Sequence, residues 1–192
     1  MANKEAEAEF ARLCSRYSIW AHKWRNVYTC YKCKTPIFDK LTSQLDTRPD
    51  KQRETVVDYL AFIEETPVWI ECKGKKGTTS WPFSDMDPKQ RNFLDAFTKR
   101  GVQCSVFLLI GNGRLPLGRG AWWVSWREFK NHCNLLLLDR GVKSISYVYA
   151  CENLQEFRLE WDVGGWTIPR ECWIAQVYPN VHNLPPLFQE AE

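Results

Sequence analysis

Two hydrophobic periods organise this chain. Over residues 4–17, Ala6, Phe10, Leu13 and Tyr17 recur at helical spacing with glutamates on the flanks, which predicts an amphipathic helix. A short strand is expected at 19–24, followed by a polar stretch bearing cysteines. Residues 39–55 are charged and hold almost no core-forming side chains. The clearest pattern comes next. Residues 56–63 and 68–73 read as strands separated by Glu64-Glu65-Thr66-Pro67, which predicts a hairpin. After a loop rich in glycine and lysine, a helix is predicted over 87–100. Asp87 serves as N-cap, Pro88 takes the first helical position and Gly101 ends it. The apolar run 103–110 reads as a buried strand and 121–124 as another. Ser125 and Glu128 have capping-box spacing for a helix through about Cys133. Beyond residue 140 the pattern predicts two or three strands with many turns. Helix, strand, hairpin, helix, strand is the sequence of an α/β layered domain.

Composition narrows the class. The chain has 192 residues, 44% hydrophobic and 26% charged, enough for one sizeable core and too apolar for disorder. We expect a single domain over 1–192, with its core at about 1–130 and an extension of uncertain role at 131–192. Lys and Arg exceed Asp and Glu by only 26 to 23, so any nucleic-acid contact must use local positive charge. No apolar run approaches the ~20 residues of a membrane span. The first ten residues carry charge where a signal peptide needs an apolar stretch, so a cytoplasmic location is expected. In that reducing compartment most of the eight cysteines should be free thiols.

The candidate chemistry lies on the hairpin. Side chains alternate along a strand, so Glu71 and Lys73 share one face while Ile70 and Cys72 share the other. With Glu64-Glu65 as the tight turn, Asp58 lies across from Glu71. Cβ atoms of opposed residues are only ~4.5–5.5 Å apart, and like charges there repel. At ~5 Å and an effective dielectric of about 20, the repulsion is on the order of 3 kcal/mol. Lys73 relieves part of it. A divalent cation relieves more, because two carboxylates, a nearby backbone carbonyl and waters make an ordinary Mg²⁺ site. Gln90 falls on the apolar stripe of the following helix with Leu94 and Phe97, and points back at Glu71 and Lys73. It also stands at N3 behind Asp87, so a capping box is its simpler role.

These residues resemble a known family. A spaced Asp, then Glu-x-Lys on a hairpin and a helix after it, is the pattern of the PD-(D/E)XK nucleases. Thr55-Val56-Val57-Asp58-Tyr59, Ile70-Glu71-Cys72-Lys73, Ser80-Trp81-Pro82-Phe83 and Gln90 resemble RecU-type Holliday junction resolvases, and more distantly the archaeal Hjc type. The match covers residues 55–110, and Val57 stands where the nominal motif has Pro. The resemblance implies a restriction-endonuclease-like α/β core, a mixed central sheet flanked by helices, here with a C-terminal β-rich extension. It implies Asp58, Glu71 and the Cys72 backbone carbonyl as ligands of Mg²⁺, with Mn²⁺ as substitute. Lys73 would position the attacking water and stabilise charge at the phosphate, and Gln90 would orient the water or the metal shell. Family members also use an acid on the first helix; Glu5, Glu7 and Glu9 compete, and Glu5 is preferred. Residues 38–55 would occupy the place of a stalk that enters the junction.

The implied activity is resolution of four-way DNA junctions by paired nicks. A C₂ homodimer matches the symmetry of such a substrate. A restriction- or repair-type nuclease, an exonuclease and a catalytically inactive DNA-binding module remain open alternatives on the same fold. Lys75, Lys76, Thr78, Thr79 and Ser80 offer donors to phosphates, and Lys89 and Arg91 open the next helix. Trp24, flanked by Lys23 and Arg25, is expected in the core. Cys30-x-x-Cys33 has the spacing of half a Zn²⁺ site and lacks an evident second pair.

Overall fold

In a computed structural model, residues 4–23, 27–30, 36–37, 51–54, 57–74, 79–111, 118–170 and 172–173 are described. The chain begins with α1 (Lys4–Arg16), β1 (Trp20–Lys23), β2 (Val27–Cys30), β3 (Pro36–Ile37) and β4 (Lys51–Glu54). The hairpin follows as β5 (Tyr59–Ile63) and β6 (Thr66–Gly74), then β7 (Ser80–Pro82), α2 (Pro88–Thr98), β8 (Gln103–Gly111) and β9 (Arg119–Ser125). Then come α3 (Trp126–Arg140), β10 (Ser144–Ser146), α4 (Tyr147–Asn153), β11 (Glu160–Asp162) and β12 (Gly165–Thr167).

The architecture is mixed α/β. A five-stranded sheet runs in the order β1-β5-β6-β8-β9, with β6 and β8 parallel and every other neighbouring pair antiparallel. Four helices flank it. The hairpin has the expected register: Tyr59 pairs with Ile70 and Leu60 with Trp69, which places the turn at Glu64-Glu65. Glu64 takes a left-handed φ of 55° to close it. Alternation then sorts the side chains. Ala61, Ile63, Val68, Ile70 and Cys72 pack beneath α1 with Phe10 and Leu13. On the opposite face, Leu94 of α2 and Phe129 of α3 pack with Val106, Leu108 and Ile110 of β8. Strand β8 is apolar almost throughout because both its faces are covered.

Helix α2 starts as its sequence predicts, with Asp87 Oδ1 accepting from the Lys89 amide at 2.7 Å. Helix α3 starts at its Ser125 cap, whose Oγ accepts from Glu128 N at 3.3 Å. It runs to Arg140, beyond the expected end near Cys133. Gly141 stops it, at a left-handed φ of 62°. Residues 135–138 show no helical period, because only Leu136 is buried while Leu135, Leu137 and Leu138 stay exposed.

The expected β-rich extension is in fact mixed. Among its described residues, three short strands share it with the end of α3 and with α4. Tyr147, Val148 and Tyr149 alternate as a strand would, but the Ser146 hydroxyl accepts from Tyr149 N at 3.0 Å and starts a helix instead. Nor does the core break at residue 130. Ile145, Tyr149, Ala150 and Leu154 enter the α2-side core, and Trp166, Ile168 and Cys172 enter the α1-side core. Strand β10 pairs with β7, placing Ile145 opposite Trp81. Tyr147 N donates to Thr79 O at 2.7 Å, so the C-terminal part holds Thr79 and the start of β7.

A separate three-stranded sheet has the order β3-β2-β4, so residues 51–54 of the expected stalk form a strand paired with β2. Residues 38–50 lie outside the described ones. Cys14, Cys72, Cys104, Cys133, Cys151 and Cys172 are free thiols. Among the described residues, no helix is long and apolar enough to cross a membrane.

Candidate active site

Strand β6 carries Glu71 and Lys73 toward α2, and the sheet registers them against Val106 and Leu108 of β8. Gln90 in the first turn of α2 reaches down to both. Its Nε2 donates to Glu71 Oε1 at 2.7 Å, and its Oε1 accepts from Lys73 Nζ at 2.9 Å. Lys73 Nζ lies 2.7 Å from the same Glu71 Oε1. Gln90 also completes the capping box, accepting from the Asp87 amide at 3.3 Å. The two roles proposed for this residue are therefore compatible: the helix N-terminus is welded to the charged pair on the strand.

Asp58 enters from the start of the hairpin. Its Oδ2 accepts from the Cys72 amide at 2.8 Å, which fixes the carboxylate beside Glu71. The two carboxyl groups are near enough for each to bear on the other's charge. Glu71 and Lys73 are fully buried and Asp58 nearly so. Burial, then the Asp58 charge, push the Glu71 carboxyl up to about 8, against the pull of Lys73. Burial raises the Asp58 carboxyl too, with the Cys72 amide pulling it down and the charge of Glu7 pushing it up. Glu71 Oε2 has no hydrogen-bond partner. Two carboxylates thus share one ammonium, and one of their oxygens has no partner. A buried net negative charge of this kind needs a proton or a cation.

The donor set fits a hard divalent cation, since it consists of oxygens from two carboxylates on a rigid hairpin. Among the described residues, no group of three or more His, Cys, Asp or Glu side chains is placed to hold a metal. Protein ligation here would rest on the carboxylate pair and backbone oxygen. Cys72 contributes its amide to Asp58, while its thiol is buried on the opposite face under α1.

Of the three acids on α1, the expected Glu5 is tied to Arg119, and Glu7 is the one whose charge bears on Asp58. Glu5 is held by both terminal nitrogens of Arg119 on β9, one at 2.9 Å. Glu9 is buried and paired with Arg12. Glu7 lies on the other flank of the helix, paired with Lys23 of β1, and its charge reaches Asp58. Tyr59 anchors this turn by donating from its hydroxyl to the Glu7 carbonyl at 3.2 Å. Close approach of α1 depends on Gly74, where a Cβ would come within 3.0 Å of Ala6 Cβ and 3.1 Å of the Leu109 carbonyl oxygen. Glu7 was detectable in principle as the residue flanking the apolar stripe on the side of Cys14. Arg119 was not singled out in the sequence, where it stands between two glycines ahead of the 121–124 strand.

The phosphate-contact candidates divide. Thr79 is exposed, Ser80 is half-buried on β7, and Lys89 and Arg91 are exposed on the first turns of α2, beside Gln90. Lys75, Lys76 and Thr78 lie outside the described residues, as do Trp24 and Arg25. Cys30 sits on β2 opposite Lys51, and Cys33 lies outside the described residues, so no zinc site is assembled among them. The chain matches no family model and no curated protein.

Proposed function

We propose that this chain is a Mg²⁺- or Mn²⁺-dependent DNA endonuclease with a restriction-endonuclease-like core, acting as a homodimer that nicks four-way junctions in pairs. The observation that carries the reading is the orphaned Glu71 Oε2 beside Asp58, on a hairpin whose neighbouring Lys73 and Gln90 are already bonded to Glu71. An isolated exposed ion pair would not be buried or cross-braced in this way. When bound, the cation supplies Lewis acidity and lowers the pKa of a coordinated water.

The chain's own residues do the rest. Asp58 and Glu71, with the Cys72 carbonyl, are the cation's ligands, and Glu7 stands nearby as the acid from the first helix. Lys73, held by Glu71 and Gln90, keeps its ammonium at one place where phosphate charge develops. Gln90 orients both groups from the rigid start of α2. Lys75, Lys76, Thr79, Ser80, Lys89 and Arg91 supply donors along the backbone of the bound strand.

The test is cleavage of a labelled four-way junction beside a linear duplex of the same sequence, in Mg²⁺ and in Mn²⁺. Symmetric nicks in the junction are expected, with the duplex left intact. Asp58→Ala and Glu71→Ala should abolish cleavage while binding survives, since loss of a carboxylate reduces repulsion of DNA. Full activity of either variant would end the assignment. Equal cutting of the duplex would point to a restriction- or repair-type enzyme, and binding without nicking to an inactive module.

A further inference from the structure

The sheet face that carries Asp58 and Glu71 continues away from them as two further rows. In the next row His22, Leu60 and Trp69 lie opposite one another across β1, β5 and β6. Beyond it come Trp20, Phe62 and Pro67. All three members of this outer row are exposed, Trp20 by 57% and Phe62 by 40%. Their strand neighbours Ala61 and Val68 are fully buried on the other face beneath α1. The outer row is therefore a solvent-facing apolar ledge on a sheet whose reverse is core.

Its rings are arranged as a platform. The Trp20 and His22 planes are 16° apart with centroids at 6.1 Å, and Phe62 meets Trp20 at 66° and 5.4 Å. Four residues along the strand separate this row from the carboxylates, a distance of about 13 Å at ~3.3 Å per residue. The far end of the ledge is closed by exposed Glu64 and Glu65 at the turn. Phosphate is repelled there, whereas a planar uncharged base is not.

We infer that Trp20 and Phe62 form a stacking ledge for unpaired nucleobases of the strand whose phosphate lies at Asp58 and Glu71. The inference rests on the nuclease reading and adds to it a preference for DNA with opened base pairs, as at a branch point. Stacking on an aromatic ring contributes ~1–3 kcal/mol per base and tolerates any sequence.

The full-length protein, in EDTA to prevent cleavage, is titrated with a labelled oligothymidylate and with a strand of equal length whose sugars lack bases. The two probes carry the same phosphate charge. Wild type should bind the base-bearing strand tighter by roughly 5- to 150-fold. Trp20→Ala and Phe62→Ala should bring the two affinities close together. Trp20→Tyr should restore most of the preference, which a purely structural role would not predict. Trp161→Ala, an exposed indole on the β11–β12 hairpin, should leave the preference unchanged. Equal binding of the two strands by wild type, no binding of either, or a preference that survives Trp20→Ala would overturn the ledge. Junction cleavage is measured on the same preparations. Asp58-dependent nicking without base preference removes the ledge alone. Base preference with no nicking supports the ledge and removes the nuclease reading.

Discussion

Glu71 accepts from Lys73 and Gln90 on one oxygen and keeps the other without a partner, inside a corner closed to solvent. Its carboxyl is raised from an ordinary 4.5 to about 8, and that of Asp58 is raised as well. The folded state therefore holds protons that the unfolded chain releases. Where the folded state binds more protons, stability falls as pH rises. The metal-free protein should lose stability between pH 4.5 and about 8, by on the order of a few kcal/mol, and level off above. Urea titrations across that window would show it, with Glu71→Gln flattening the slope. Added Mg²⁺ should restore stability at the alkaline end, since a cation replaces the proton. A slope unchanged in Glu71→Gln would show that the charge is not held as described.

Between elements, the first turn of α2 joins the helix to the strand through one side chain. Asp87→Ala removes only the cap and should cost about 1 kcal/mol, with cleavage largely retained. Gln90→Ala removes the reciprocal half of the cap and also strips a partner from buried Lys73 and Glu71. The pair keeps its own contact, but each lost hydrogen bond to a charged group costs about 1.5–3 kcal/mol. Gln90→Ala should therefore be the more destabilising change and should lower kcat by much more than Asp87→Ala does. Paired melts and single-turnover cleavage of the two variants make the comparison. Equal loss of activity in both would reduce Gln90 to a helix cap. The spacing of Asp87 and Gln90 already marked the helix start in the sequence. The contact with β6 was visible only as a polar residue on an apolar stripe.

At the scale of the whole molecule, residues between Ile145 and Cys172 complete both cores instead of hanging from them. Truncation after Arg140 removes Ile145, Tyr149, Leu154, Trp166 and Ile168 from packed positions. It also frees β7 from β10, and Thr79 from Tyr147. Such a chain should lose cooperative unfolding in calorimetry, not merely a few degrees of Tm. A second expectation concerns the bound strand as a whole. Replacing both Lys75 and Lys76 with Ala should flatten the dependence of log affinity on log salt by up to roughly 2, at about 0.9 per phosphate on B-DNA. An unchanged slope would place the phosphate track along Lys89 and Arg91 instead.

The local pattern determined the hairpin, its turn, the α2 start and the facing of Asp58, Glu71 and Lys73, because strand alternation and helix caps are short-range rules. One residue of slip at Glu64-Glu65 would have moved Glu71 to the core face beneath α1, so burial of Ile70 and Cys72 specifies the register. What lay beyond those rules was decided by packing between distant segments. Which acid of α1 bears on Asp58 depends on how the helix lies on the sheet, where Gly74 lets Ala6 approach and Arg119 holds Glu5. The length of α3 and the helical state of 147–153 depended on Gly141 and on the Ser146 cap, each acting against an apolar run that reads equally well as strand. The exposure of Trp20 and Phe62 was likewise tertiary. In sequence they are two more aromatic residues in apolar stretches, and only the position of the helices, over β6, β8 and β9 on that face, leaves their outer row in solvent.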